Sequence, residues 1–290
     1  MVIFKLLRVK QWVKNLFVFL PAIFSGQLLN AETFLHTLEA FFVFCLISST
    51  IYILNDICDR KADREHPRKR LRPIASGKVS VGLASVIAVV IFVAAFVLAW
   101  LFFGMNVDVF LIAAGYVIMN IAYTLTLKNI AILDVIIIAT GFVLRVLMGG
   151  AACGIWVSPW LVMMVFLLTL LIAFGKRRDD LVLAATDGKK IRKSVTGYNI
   201  TFINQVISLL AGTMIVAYVC YTLSNDVMMR FASQNVYLTS VFVIAAVLRY
   251  LQLIYVREES GSPTDIIYRD RFIQSCCVLW LLSFIFIIYR

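Results

Sequence analysis

Nine apolar stretches, each near the ~20 residues that a helix needs to cross a bilayer, constrain this 290-residue chain more than any other feature. They lie at about 13–30, 35–55, 80–103, 107–126, 131–152, 158–175, 202–223, 235–255 and 272–289. A mean hydropathy of +0.94 with 15% charged residues excludes an ordinary soluble domain. In hydrocarbon only a helix or a closed barrel satisfies its own backbone, and runs of this length demand helices. The expectation is an all-α polytopic membrane protein of about nine transmembrane helices, with residues 1–290 forming a single integral-membrane domain.

The charges set an orientation. With the N-terminus inside, 23 of the 27 Lys and Arg fall on the cytoplasmic side, whereas Arg230 and Arg290 fall outside. This positive-inside bias explains most of the net charge of +11. Basic residues divided among loops do not make a nucleic-acid surface, so no nucleic-acid partner is expected. The six cysteines lack metal-ligand spacing and read as packing thiols.

Only 16 residues are acidic, and four of them (Asp56, Asp59, Asp63 and Glu65) follow the second apolar run. Asp56, Asp59 and Asp63 stand at i, i+3 and i+7, which places them on one face of a helix, with Asn55 a turn from Asp59. Crowded carboxylates at a membrane edge are costly unless a cation joins them. Mg2+, held by one or two carboxylates and waters, leaves positions open for substrate phosphates. Asn55, Asp56 and Asp59 are the expected metal ligands, and Arg68, Lys69, Arg70 and Arg72 follow at once as phosphate partners. Charges mixed in this way also occur in loops that are merely solvated.

Three further groups stand at cytoplasmic ends. Lys14 and Asn15 close the Lys10-Gln-Trp-Val-Lys-Asn segment, where they can reach a phosphate or snorkel. Tyr123, Lys128, Asp134 and Arg145 flank or enter the fifth span. Asp134 and Arg145 are eleven residues apart, near three helical turns, on a face shared with Gly141 and Gly149. Intramembrane charges of this kind face a polar cavity or a partner helix. Lys176, Arg177 and Asp180 end the sixth span; Lys176 and Arg177 also serve topology.

An Asn-Asp-x-x-Asp-x-x-x-Asp stretch after a second span resembles the UbiA superfamily of intramembrane prenyltransferases. Several blocks are similar to its polyprenyl-phosphate phosphoribosyltransferase branch: Lys10 to Asn15, Asp63 to Gly77, Tyr123 through Lys128 to Asp134, Gly141 to Arg145, Leu248-Arg-Tyr250, and Pro263 to Asp270. Val9 stands where proline is expected, and the second acidic motif, Asp-x-x-x-Asp, is missing: Asp179 and Asp180 are adjacent and position 183 is leucine. The resemblance implies a UbiA-like helical bundle in the cell membrane, its site facing the cytoplasm, that uses Mg2+. It implies phosphoribosyl pyrophosphate as donor and a polyprenyl phosphate lipid as acceptor, and leaves a homo-oligomer open.

In that scheme Asp56, Asp59 and Asp63 are the catalytic carboxylates. Lys14, Asn15, Arg68, Arg72, Lys128, Lys176, Arg177 and Asp180 contact substrate phosphates or hold the groups that do, and Tyr123, Asp134 and Arg145 line the inner wall. An acceptor phosphate is already anionic, so a site rich in Asp, Lys and Arg but poor in His suits the transfer. Two other functions compete. A prenyltransferase acting on aromatic or quinone precursors would favour a second acidic motif, and a transporter would favour charges spread through the midplane.

Overall fold

A computed structural model describes residues 2–65, 69–187, 195–231, 233–256 and 269–288. Among the described residues all regular structure is helical. The α-helices are α1 (Val2–Leu6), α2 (Leu20–Phe24), α3 (Ala31–Cys58), α4 (Arg60–Glu65), α5 (Val81–Phe103) and α6 (Val107–Leu125), followed by α7 (Leu133–Cys153), α8 (Pro159–Asp187), α9 (Ile200–Thr222), α10 (Asn225–Arg230), α11 (Ser240–Tyr255) and α12 (Arg271–Ile288). Seven helical stretches are long and apolar enough to cross a membrane. They match the seven inner runs read from the sequence. The last run forms α12, which is apolar but only 18 residues long.

The first run is built differently from the expected single helix. Val9–Phe19 winds as a 3-10 helix and passes directly into α2, with Pro21 near its start. At ~2.0 Å per residue the 11 residues of 3-10 helix reach about 22 Å, and five α-helical residues add about 7 Å. Sixteen residues thus approach the ~30 Å of a hydrocarbon core. Tight winding also brings Trp12, Asn15 and Val18 onto one face, because side chains three apart eclipse.

The chain divides into two compact units: residues 1–128 with 140–157, and residues 129–139 with 158–290. In the first, α3 is central. Asn30 caps its start by accepting from the backbone N–H groups of Glu32 and Thr33. The buried residues of α5 are all alanines (Ala84, Ala88, Ala95 and Ala99), a small-residue stripe that packs with Val43, Ile47 and Ile53 of α3. The rest of α5 exposes Val86, Val89, Val90, Val93 and Leu101, as a lipid-facing helix does.

The second unit buries one stripe of α9 (Ile203, Ile207, Ala211 and Met214) among Leu167, Leu171 and Phe174 of α8 and Leu253 of α11. The spacing of four, four and three is the signature of one helical face.

Candidate active site

The acidic motif lies in the first unit. Helix α3 runs on through Asn55-Asp-Ile-Cys, and Asp59 caps its end with φ −86° and ψ 3°. The backbone then resumes as α4, with the N–H of Asp63 donating to the Asp59 carbonyl at 2.8 Å. The expected common face is therefore interrupted at its middle residue. Asp56 and Asp63, both buried, still converge: Nη1 of Arg72 donates to Asp56 Oδ1 at 2.9 Å and to Asp63 Oδ2 at 2.6 Å. Asp59 turns to a different partner and accepts from Nζ of Lys128.

A third cation completes the group. Nη2 of Arg8 donates to Asp56 Oδ1, and its guanidinium lies over the Tyr52 ring, 5.0 Å from the centroid. Three carboxylates thus meet three cations. In the sequence Arg8 marks only the inward-facing side, and its place two residues before Lys10-Gln-Trp is the one sign of a further role. Arg68 lies outside the described residues.

Oδ1 of Asn55, in this cluster, is buried and has no hydrogen-bond partner among the described residues. A buried amide oxygen without a donor is costly, and a hard cation would satisfy it. No three His, Cys, Asp or Glu side chains form a ready metal cage among the described residues. The donor set therefore fits Mg2+ held by Asn55, one or two carboxylates and water, and not a dedicated all-protein cage.

Asn15 and Arg145 come together in the interior of the same unit. Nδ2 of Asn15 donates to Sγ of Cys45 and Oγ of Ser48, both at 3.1 Å, while its oxygen accepts from Nε of Arg145 at 2.8 Å. Arg145 also donates to the Gly141 carbonyl at 2.6 Å and the Tyr116 hydroxyl at 3.0 Å. Phe44, Tyr116 and Phe142 each offer a ring 5.1 Å from the guanidinium carbon. These groups hold the 3-10 helix, α3, α6 and α7 together. Lys14 and Tyr123 are half-buried on the 3-10 helix and α6.

The second unit carries its own charged cluster. Asp134, fully buried, accepts from Nε of Arg177 at 2.9 Å and from the Tyr198 hydroxyl at 2.9 Å. Arg177 also donates to Asp180 at 2.7 Å. Lys176, next to it, is exposed. Tyr198, missed in the sequence because only its neighbour Asn199 carries a helix-cap signal, also accepts the Ile132 N–H. Burial pushes its phenol up to about 12, so it remains a donor to Asp134 at physiological pH. Ile132 has φ +68°, a strained conformation for a β-branched residue, and the Tyr198 contact fastens that turn. Asp134 and Arg145, although both on α7, have separate sets of partners.

The chain matches the UbiA prenyltransferase family over residues 16–275, and it belongs to that family. It is 36% identical over 287 residues to the decaprenyl-phosphate phosphoribosyltransferase of Mycolicibacterium smegmatis, covering 96% of this chain and 89% of that protein. The like-named protein of Corynebacterium glutamicum is 31% identical, with 98% and 86% covered. Among solved structures, a UbiA homolog from Archaeoglobus fulgidus bound to GPP and Mg2+ superposes with a TM-score of 0.70 at 18% identity and covers all of both chains. That likeness gives the fold: a multi-pass helical membrane protein.

Proposed function

We propose that this protein transfers the 5-phosphoribosyl group of phosphoribosyl pyrophosphate to a polyprenyl phosphate, releasing pyrophosphate, at the cytoplasmic face of the cell membrane. The observation that carries the reading is the Asn55–Asp63 cluster, where carboxylates and an unsatisfied amide oxygen stand against Arg8, Arg72 and Lys128. The missing second Asp-x-x-x-Asp supports a sugar-linked pyrophosphate over a prenyl diphosphate held by two acidic motifs. Near full-length similarity to proteins named decaprenyl-phosphate phosphoribosyltransferase supports the same choice.

In this reading Asn55, Asp56 and Asp59 hold Mg2+, and Asp63 orients Arg72. When bound, the metal offsets the charge that develops on departing pyrophosphate. Arg72 and Lys128 are fixed donors that follow that charge as the anomeric C–O bond breaks, taking its electron pair to the pyrophosphate. An acceptor phosphate oxygen forms the new bond to the anomeric carbon and brings no proton that must be removed, so the scarcity of histidine is no handicap. Asn15 and Arg145 keep the surrounding helices in place. Asp134, Arg177 and Asp180 form a clasp beside Lys176, an exposed cation assigned to a substrate phosphate.

The test is purified protein with Mg2+, labelled phosphoribosyl pyrophosphate and polyprenyl phosphate. A labelled lipid is expected from the native protein and none from Asp56→Ala. Near-normal turnover by Asp56→Ala would sink the site assignment. Labelling only from a prenyl diphosphate and an aromatic acid would replace the donor.

A further inference from the structure

Arg8 is a costly residue to place where it stands. Its backbone is left-handed, at φ +50° and ψ 45°, a conformation that crowds Cβ against the backbone of any residue with a side chain. What the conformation achieves is local: at the junction of α1 and the 3-10 helix it directs the guanidinium onto Asp56 and the Tyr52 face. Asp56 already has Arg72. A second guanidinium is not needed to neutralise one carboxylate, and it competes with any metal for the same oxygen, Oδ1.

Arg8 is also not sealed in. Its side chain is 20% exposed while that of Asp56 is 2% exposed, and Asp56 is its only hydrogen-bond acceptor among the described residues. Guanidinium has five N–H donors in a fork that matches phosphate oxygens. An arginine that is strained, half-engaged and partly open beside a metal-binding carboxylate is suited to exchanging partners.

We propose that Arg8 is a positioning residue that reserves Asp56 until a pyrophosphate arrives. The guanidinium then passes from the carboxylate to the pyrophosphate, and Asp56 Oδ1 becomes available to the metal. Metal and pyrophosphate therefore bind as a pair, each weakly alone. The inference rests on the proposed reading only in requiring a donor that carries a pyrophosphate.

Equilibrium dialysis of radiolabelled Mn2+ against the solubilised full-length protein, with and without inorganic pyrophosphate, tests it; Mn2+ shares the oxygen preference of Mg2+. The native protein should retain Mn2+ about tenfold more tightly with pyrophosphate present, the scale of one charge-assisted contact. In Arg8→Gln, Mn2+ alone should bind more tightly than in the native protein, because Asp56 Oδ1 then faces one guanidinium instead of two, and the pyrophosphate enhancement should fall away. Arg8→Lys, with the charge but not the fork, should recover part of it. A native-like enhancement in a folded Arg8→Gln protein would overturn the proposal, as would the lack of any enhancement in the native protein. If Arg8→Gln fails to fold, Arg8→Lys decides alone: reduced enhancement supports the exchange and undiminished enhancement overturns it. The functional reading fails separately. A native protein that shows the enhancement but labels lipid only from a prenyl diphosphate keeps the Arg8 inference and loses the phosphoribosyl donor.

Discussion

Arg145 is 4% exposed and meets no carboxylate among the described residues. Its charge is spread over an amide oxygen, a backbone carbonyl, a hydroxyl and three aromatic faces, each of which gains from a weakly hydrated, planar cation. Truncating it leaves the amide oxygen of Asn15 without its donor, and an orphaned buried acceptor costs about 1–3 kcal/mol. Arg145→Met should lower the melting temperature of the solubilised protein, and Arg145→Lys should not restore it, since ammonium cannot span the same fork. A Lys variant that melts like the native protein would show the fork to be unimportant. Asp270 behaves differently because it sits outside the spans. Arg249 donates to it at 2.7 and 3.1 Å, and the resulting hydrogen bond pulls its carboxyl below the ordinary 3.8. A folded value below the unfolded one gives stability that is complete above the unfolded value and disappears as pH falls through the folded value. Thermal melts of Asp270→Asn and native protein should therefore differ at neutral pH and converge in acid.

At the scale of elements, the 3-10 helix explains two glycines that look alike in the sequence. The Val18 carbonyl oxygen approaches Gly149 so closely that an added Cβ would sit 1.9 Å from it. At Gly141 the nearest atoms would be 3.6 and 3.7 Å away, an ordinary contact. Gly149→Ala should accordingly cost several kcal/mol and reduce the yield of folded protein, whereas Gly141→Ala should melt within a few degrees of native, both read by thermal unfolding in detergent. The common helix face of Gly141, Arg145 and Gly149 was legible from a 3.6-residue period, but which glycine matters was not, because that depends on an element with a period of three. Tight winding leaves no mark in hydropathy. The first apolar run reads like any other span, and only the structure sets Trp12, Asn15 and Val18 on one face. The break at Asp59 was equally hidden: a seven-residue stripe of Asp56, Asp59 and Asp63 survives as chemistry, while the middle carboxylate leaves for Lys128. Seven helices and the acidic motif could be read directly, because span length and crowded carboxylates are local properties. The partners Arg8, Tyr198 and Tyr116 could not, since each is set by packing between distant segments.

For the molecule as a whole, the ion pairs separate folding from metal binding. A protein whose carboxylates relied on a metal for neutralisation would lose its binding free energy, and much of its stability, on chelation. Here Asp56, Asp59 and Asp63 each have a protein cation, and Arg72 ties α4 to α3 through two of them. The hydrophobic cluster around α9 is built from residues remote in sequence from the acidic motif, and the one around α3 is centred on Val43, Phe44 and Ile47, two to three turns before it. Chelation with EDTA should therefore abolish phosphoribosyl transfer and move the melting temperature by less than about 2 °C, under ~1 kcal/mol for a chain of this size. Restoring Mg2+ alone should leave the melting temperature near that value, and adding pyrophosphate with it should raise it, because stabilisation follows the occupancy of the folded state. A large loss of stability on chelation would make the metal a structural element of the fold, and the three cations would then be too weak to stand in for it.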